Sequence, residues 1–525
     1  MTGADHLIQT LEALGVEIAY GVPGEETTAL LSALQDSQIT FVLCRHEQAA
    51  AFMASVYGRL HGKPAICLAT LGPGATNLVT GVADAHLDYA PMIVLTGQAA
   101  RARLGRESHQ VIDLEALFAP ITKRSRLIQT VDNIAGFAAE AYATAMEPRP
   151  GPVHLCLPED LASEQVDPTH PISPIHFATH PVPAQDTEAL ATHLTRAERP
   201  MIIAGAGVIR QNSVAALRSF IEATGIPCAT SFSGKGILAD GHARHLGVFG
   251  LPGRDDAEAA LHKADLLFAV GYDPIEYEPH SLSHDGRIPV IALSEGRLPH
   301  DSGWPLKANA AGSISTALAD LTHRIDGLTW NMHAARPERP TGPADDLAHP
   351  DTILARVNSQ IHDEDIILSG VGNHKFWIAD RLQPRSPGQI IIPNGLAGMG
   401  LALPGAIAAK HANKEAFVMA ICGDGDVMMN VQDLETATRL DLDLVVMVWV
   451  DGGYGLIEQK QRSDTGDDIA YGFSDMDWAA LARAFGFEHC TTRSPDTLSA
   501  ILDKARKAGG RHLITLPVRY PEKIG

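Results

Sequence analysis

From its first residues the chain alternates short apolar runs of strand length with longer segments of helical period. DHLIQTLEALG, TTALLSALQD and AAAFMASVYGRLHG repeat apolar residues at helical intervals, whereas IAYGVPG, ITFVLCRHE and PAICLATLGPG are brief apolar runs closed by glycine, proline or charge. A strand that is followed by a helix and then by another strand rejoins its sheet in parallel, through a right-handed crossover. The alternation therefore predicts an α/β fold of mostly parallel sheets covered by helices on both faces.

The 525 residues are too many for one core. Two stretches rich in proline and polar residues break the rhythm: SEQVDPTHPISPIHFATHPVPAQ, and NMHAARPERPTGPADDLAHP. They divide the chain into three expected α/β domains, 1–162, 186–330 and 349–525. In the middle one, RPMIIAGAGVI is similar to a phosphate-binding glycine turn, but the pattern is incomplete and also serves plain helix–strand packing. With 41 basic against 62 acidic residues, the formal net charge of −21 opposes binding to phosphate backbones or anionic lipid, so neither nucleic acid nor membrane is an expected partner. No window holds the ~20 apolar residues of a membrane span. The six cysteines lie scattered, mostly in apolar runs, and MTGADHLIQTLEALGVE has no basic segment before an apolar core. Both features point to reduced thiols and a cytoplasmic protein.

The third region contains GDGDVMMNVQDLETATRLDLDLVVMVWVDGGYG. FVMAIC and LDLVVMVWV read as strands and NVQDLETATRL as the helix between them. A crossover unit of this kind ends both strands at one edge of the sheet, which sets Asp424 and Asp451 side by side. Two carboxylates that close repel one another unless a cation lies between them, and oxygen ligands favour Mg²⁺ or Ca²⁺. The glycines at 423, 425, 452 and 453 let backbone amides approach a phosphate. Each turn alone also reads as a solvated Asp-Gly turn; their placement at two ends of one crossover favours metal plus diphosphate.

GDG followed, after a crossover helix, by an aspartate beside glycine resembles the motif of the thiamine-diphosphate-dependent enzymes, and the resemblance runs through nearly the whole chain. It implies a pyrimidine-binding domain, a central domain and a diphosphate-binding domain in that order. It also implies a Mg²⁺ held by Asp424, Asp451 and the carbonyl of Gly453. RHEQAAAFMA makes Glu47 the catalytic carboxylate against the aminopyrimidine ring of thiamine diphosphate. GLAGMGLALPGAIAAK places Gly398 and Met399 in the loop that bends the cofactor, and GVGNHKFW offers Gly372, Asn373 and His374 to the diphosphate. Gly24, Gly425, Asp426 and Tyr454 complete the implied cofactor contacts. Asp426 replaces the small or neutral residue usual after GDG, so its side chain must point away or meet the water shell of the metal.

Within that family LATLGPGATNLVTGVADAHLDYAPMIVLTGQ, VGYDPIEYEP and WVDGGYG resemble the acetolactate synthases, in particular the catabolic, flavin-independent kind. Such an enzyme decarboxylates a 2-oxo acid and couples the remaining fragment to a second carbonyl compound. Gln110 matches a glutamine on the substrate side, and Thr70 stands where benzoylformate decarboxylases carry histidine. Ile457 takes the place of a glutamate of pyruvate decarboxylases, so the acid that would protonate the decarboxylated carbon is missing, which favours coupling. Lys460 falls near a tryptophan that selects the acceptor in the biosynthetic synthases. The catabolic ones carry a lysine near the entrance, where this chain reads PGEETT with Glu25 and Glu26. That exchange disfavours a carboxylate-bearing acceptor unless another cation, such as Lys460, compensates. No flavin signature stands out, and FAD is not expected. The resemblance also implies a homo-oligomer, dimer or tetramer, with each active site between chains. A 2-oxo acid decarboxylase, a hydroxyketone or diketone lyase, and a catalytically silent homologue remain the competing readings.

Overall fold

The computed structural model describes residues 1–167, 175, 180–252, 255–299, 303–330, 348–466 and 471–521. Most of both proline-rich stretches, 168–174, 176–179 and 331–347, lies outside the described residues. The chain builds three six-stranded sheets in which every strand pair is parallel. The first holds β1 (Ile18–Gly21), β2 (Thr40–Leu43), β3 (Ala65–Ala69), β4 (Met92–Gln98), β5 (Arg124–Leu127) and β6 (Pro152–Pro158) in the order β2-β1-β3-β4-β6-β5. The second holds β7 (Pro200–Ala204), β8 (Cys228–Thr230), β9 (His245–Val248), β10 (Leu266–Val270), β11 (Val290–Ser294) and β12 (Leu306–Ala311), ordered β12-β11-β10-β7-β8-β9. The third holds β13 (Ile366–Ser369), β14 (Ile390–Ile391), β15 (Val418–Gly423), β16 (Leu444–Val450), β17 (Glu488–Thr491) and β18 (Arg511–Pro517), ordered β14-β13-β15-β16-β18-β17.

The first and third sheets thus share one topology. In each, the chain winds outward in opposite directions from a central pair, β1 and β3 or β13 and β15, and a crevice opens beyond the carboxyl ends of that pair. The second sheet has the winding of a dinucleotide-binding fold, with its crevice between β7 and β10. Burial explains the apolar strands: β3, β4 and β10 are buried at every residue, as parallel strands covered on both faces must be.

Small residues let three helices pack the first and third sheets into one core. Helix Glu47–His61 begins at an N-cap, His46, whose ring accepts the Gln48 amide, and ends at Gly62 in the left-handed region. It packs on helix Pro73–Leu87, where a Cβ on Gly81 would fall 2.4 Å from that of Ala51. Helix Ala402–Ala412 packs on helix Glu47–His61 from the third sheet's side. Phe52, Leu78, Leu368, Ile407 and Val446 therefore belong to one continuous core, while the second sheet keeps cores of its own. Among the described residues no helix is long and apolar enough to cross a membrane. Five cysteines are buried and free, and Cys490 is half-buried and free.

Candidate active site

The crossover from β15 to β16 does what its sequence implies. Gly423 and Trp449 pair across the two strands, so Asp424 and Asp451 emerge together. Asp424 opens a four-residue helix; its Oδ1 accepts the Gly425 amide and its Oδ2 the Gly452 amide, both at 2.8 Å. The two carboxyls perturb one another. Asp451 is pushed up to about 7 by loss of hydration and then by the charge of Asp424. Asp424 is raised by burial, against which the Gly452 and Gly425 amides work. Asp451 is exposed as a residue in the single chain, but its carboxyl is shielded by the loops around it. A divalent cation between them would reverse both shifts.

The surroundings fit a metal-bound diphosphate. A Cβ on Gly455 would meet Asp451 Oδ2 at 2.5 Å, and one on Gly425 would meet the Tyr454 ring at 2.9 Å, so both positions form a cradle that only glycine leaves open. The Nδ2 of Asn373, at the start of the helix after β13, is buried without a partner, a donor waiting for an acceptor. Among the described residues no three or more His, Cys, Asp and Glu side chains are arranged so that they could hold a metal ion by themselves. An ion here would thus complete its shell from backbone carbonyls such as that of Gly453, and from ligand oxygens.

Two neighbours behave otherwise than charged diphosphate contacts. His374 is buried against the backbone of Gly370 and Gly423, and desolvation brings it down to about 3, so it is a neutral ring. Asp426 turns away from the cradle. Its Oδ1 accepts the amides of Val371 at 3.0 Å and Gly400 at 2.9 Å, tying the end of β13 to the Met399 loop. That settles which of the two orientations left open by the sequence is adopted. Gly372 is at the N-terminus of the helix that begins with Asn373. Met399 and Gly398 are half-buried, with Gly398 against the Phe52 ring. Asn430, which the sequence reading missed, donates to the Gly400 carbonyl at 3.0 Å and is fully buried.

A second constellation forms at the crevice of the first sheet. Glu47 begins its helix, and its Oε2 accepts from Asn77 at 2.9 Å. Thr70, just past β3, donates to Glu26 at 2.6 Å, and a Cβ on Gly24 would strike Thr70 at 2.4 Å. Gln110 has φ +61° and its carbonyl lies against Gly72, itself at φ +47°. Asn77, in the second turn of helix Pro73–Leu87, carries no sequence signal, and only its bond to Glu47 reveals it; Glu26 was marked by the sequence as an entrance acid, but its bond to Thr70 was not. Lys460 is exposed and bonds Asp464 one turn on at 2.7 Å, and Ile457 is exposed too.

Among the described residues no hydrogen bond or ion pair joins Glu47, Thr70 or Gln110 to Asp424, Asp451 or Asn373. Each half is bordered by exposed apolar side chains, Leu43 and Ile112 on one, Met428, Tyr454, Ile457 and Phe473 on the other. At the crevice of the second sheet, by contrast, Glu276 fills the space itself. It accepts the Ala206 amide at 3.1 Å, the Asp273 amide at 3.0 Å and the Ser231 hydroxyl, and a Cβ on Gly205 would meet its Oε1 at 2.3 Å. The GAGVI turn is thus a packing element.

Three family models match the chain: the N-terminal TPP (thiamine pyrophosphate) binding domain of thiamine pyrophosphate enzymes over residues 1–117, their central domain over 187–319, and their C-terminal TPP binding domain over 370–516. The chain is 32% identical to the acetolactate synthase isozyme 2 large subunit of Escherichia coli, covering 100% of this chain and 97% of that one. It is 30% identical to the acetolactate synthase of Bacillus subtilis, over 99% of this chain and 94% of the relative. A probable acetolactate synthase large subunit of Methanocaldococcus jannaschii is 30% identical, over 100% and 93%.

Proposed function

Since the chain belongs to the thiamine pyrophosphate enzymes, in their acetolactate synthase-like branch, we propose that it releases CO₂ from a 2-oxo acid and couples the remaining acyl unit to a second carbonyl compound. The observation that carries the reading is the pair Asp424 and Asp451 beside the unpartnered Asn373 donor. Asp424, Asp451 and the Gly453 carbonyl would hold Mg²⁺, and Asn373 would donate to the diphosphate. Bound there, thiamine diphosphate supplies the sink for the electron pair left as CO₂ departs. Glu47, oriented by Asn77, holds a proton at the pyrimidine nitrogen. Gln110 and Thr70 face the substrate, and apolar Ile457 offers no proton to the decarboxylated carbon, which leaves it free to couple.

The exposed apolar borders support a homo-oligomer in which Glu47 of one protomer completes the cradle of its partner. The same reading divides the chain into domains 1–162, 186–330 and 349–525 and places it in the cytoplasm. The reading includes no FAD, which is supported by Glu276 accepting the Ala206 and Asp273 amides at the crevice of the second sheet.

Purified protein with thiamine diphosphate, Mg²⁺ and a panel of 2-oxo acids should release CO₂ and yield hydroxyketone products. Free aldehyde without coupling would replace this reading with a simple decarboxylase. Glu47→Gln should bind the cofactor within a few-fold of wild type yet lose CO₂ release by ~100-fold or more. Asp424→Asn should lose the cofactor affinity that Mg²⁺ confers, read by protein fluorescence.

A further inference from the structure

Resting on the carboligase reading, we infer that Glu26 makes this site select a neutral aldehyde or ketone, one without a carboxylate, as its second substrate. Glu26 lies in the turn Glu25–Thr27, separated from the end of β1 by three residues. Thr27, buried, fixes that turn by accepting the Gly24 amide at 3.0 Å and donating to the Gly24 carbonyl at 2.9 Å. The backbone of Glu26 packs against Gly97 of β4, and its carboxylate takes the Thr70 hydroxyl at 2.6 Å. The Thr70 methyl lies 2.9 Å from where a Cβ on Gly74 would stand, and Glu47 Oε1 lies 3.3 Å from the same point. Glu26 and Glu47 therefore line one wall, linked through Thr70 and Gly74.

That wall presents two carboxyl groups, Glu26 and Glu47. Among the described residues no ion pair reaches Glu25, Glu26 or Glu47. Arg101 and Arg103, which follow the neighbouring β4, are engaged by Asp160 and Glu164 and by Glu159. Lys460, the cation that the sequence offered as compensation, is bonded to Asp464 on its own helix. The donor loses its carboxylate before coupling, whereas an acceptor would keep its own beside Glu26 throughout, where like charges repel. With a neutral acceptor the bond to CO₂ breaks and its electron pair forms the new C–C bond to the acceptor's carbonyl carbon. The acceptor oxygen takes up one proton to give a 2-hydroxyketone, and no oxidant is consumed.

The test uses the holoenzyme with pyruvate as donor and propanal at equal concentration as competing acceptor. The mixed product, 3-hydroxypentan-2-one, cannot arise from self-coupling. Wild type should form it about tenfold or more over the self-coupled acid, Glu26→Gln should bring the ratio down about tenfold, and Glu26→Lys should invert it. Equal use of both acceptors by wild type, or a ratio unchanged in Glu26→Gln, overturns the inference. Absence of CO₂ release from any 2-oxo acid counts against the carboligase reading instead, and calorimetric binding to the holoprotein then decides. Propionate should bind at least ~5-fold more tightly to Glu26→Gln than to wild type while propanamide binds both alike; equal propionate affinity overturns the inference.

Discussion

Single residues in this protein owe their charge state to burial. His154 is fully buried between the hydroxyls of Thr96 and Ser125, each at 2.8 Å, and desolvation lowers it to about 3. One ring nitrogen donates and the other accepts, so the neutral form is satisfied, while the charged form loses its hydration in the buried site. An imidazole lowered in the folded state binds its proton first in the unfolded chain, near pH 6.5. Its contribution to stability is complete above that value and is lost as pH falls toward 3. Wild type minus His154→Asn should therefore slope by about 1.4 kcal/mol per pH unit through that window and be flat above it, measured by urea unfolding at stepped pH. The difference curve removes the opposing effect of carboxyls raised by burial, such as Asp426 and Asp433 at about 6. A flat difference below pH 6 would mean that the ring is solvated in the folded protein. Asp426 and His374 show the same physics beside the cradle: neither identity changes, but burial turns one into a backbone clamp and the other into a neutral spacer.

Among the elements, helix Pro73–Leu87 links more of the site than its sequence suggests. Near its start Asn77 orients Glu47, and Asp88, just past its end, accepts the Gly395 amide at 2.8 Å and pairs Arg59 at 3.0 Å. Asp84, buried on the same helix, is pushed up to about 8 by desolvation and by Asp88, while buried Lys375 opposite comes down to about 8. The loop that carries Met399 is thus fastened to the end of the helix whose Asn77 orients Glu47. Asp88→Ala strands Arg59 and the Gly395 amide, and the expected loss is about 3 kcal/mol or more. It should also weaken thiamine diphosphate binding, because the loop is freed; unchanged affinity in a folded variant would show that the loop stands without Asp88. The helices themselves were legible from their period, and so was the placement of Asp424 beside Asp451, because crossover handedness is a rule of local chain geometry. The fastening was not, since Asp88 and Gly395 are remote in sequence and Asp-Tyr-Ala at a helix end carries no mark of its partner.

For the whole molecule, the central sheet is locked to the others by buried charge. Asp273 bridges Arg149, from the first domain, at 3.0 Å and Arg210 at 2.7 Å, with Arg210 over the Tyr89 ring at 5.1 Å. Asn394, from the third region, donates to the Glu276 carbonyl. Removing one member of such a buried cluster leaves the rest uncompensated, and Asp273→Ala is expected to cost about 3–5 kcal/mol. Calorimetry should then resolve a separate, earlier transition for the central sheet. A single transition at an unchanged temperature would mean that apolar packing alone joins the domains. The sequence by itself determined the parallel α/β sheets, the three-part rhythm, the family and the meeting of Asp424 with Asp451, because side-chain period and crossover topology are written over a few tens of residues. Only the tertiary structure decided that Asp426 faces inward, that Glu276 fills the nucleotide crevice, that His374 is neutral and that Thr70 holds Glu26. Each of those outcomes depends on desolvation and on a partner brought from a distant part of the chain, and neither has a local signature.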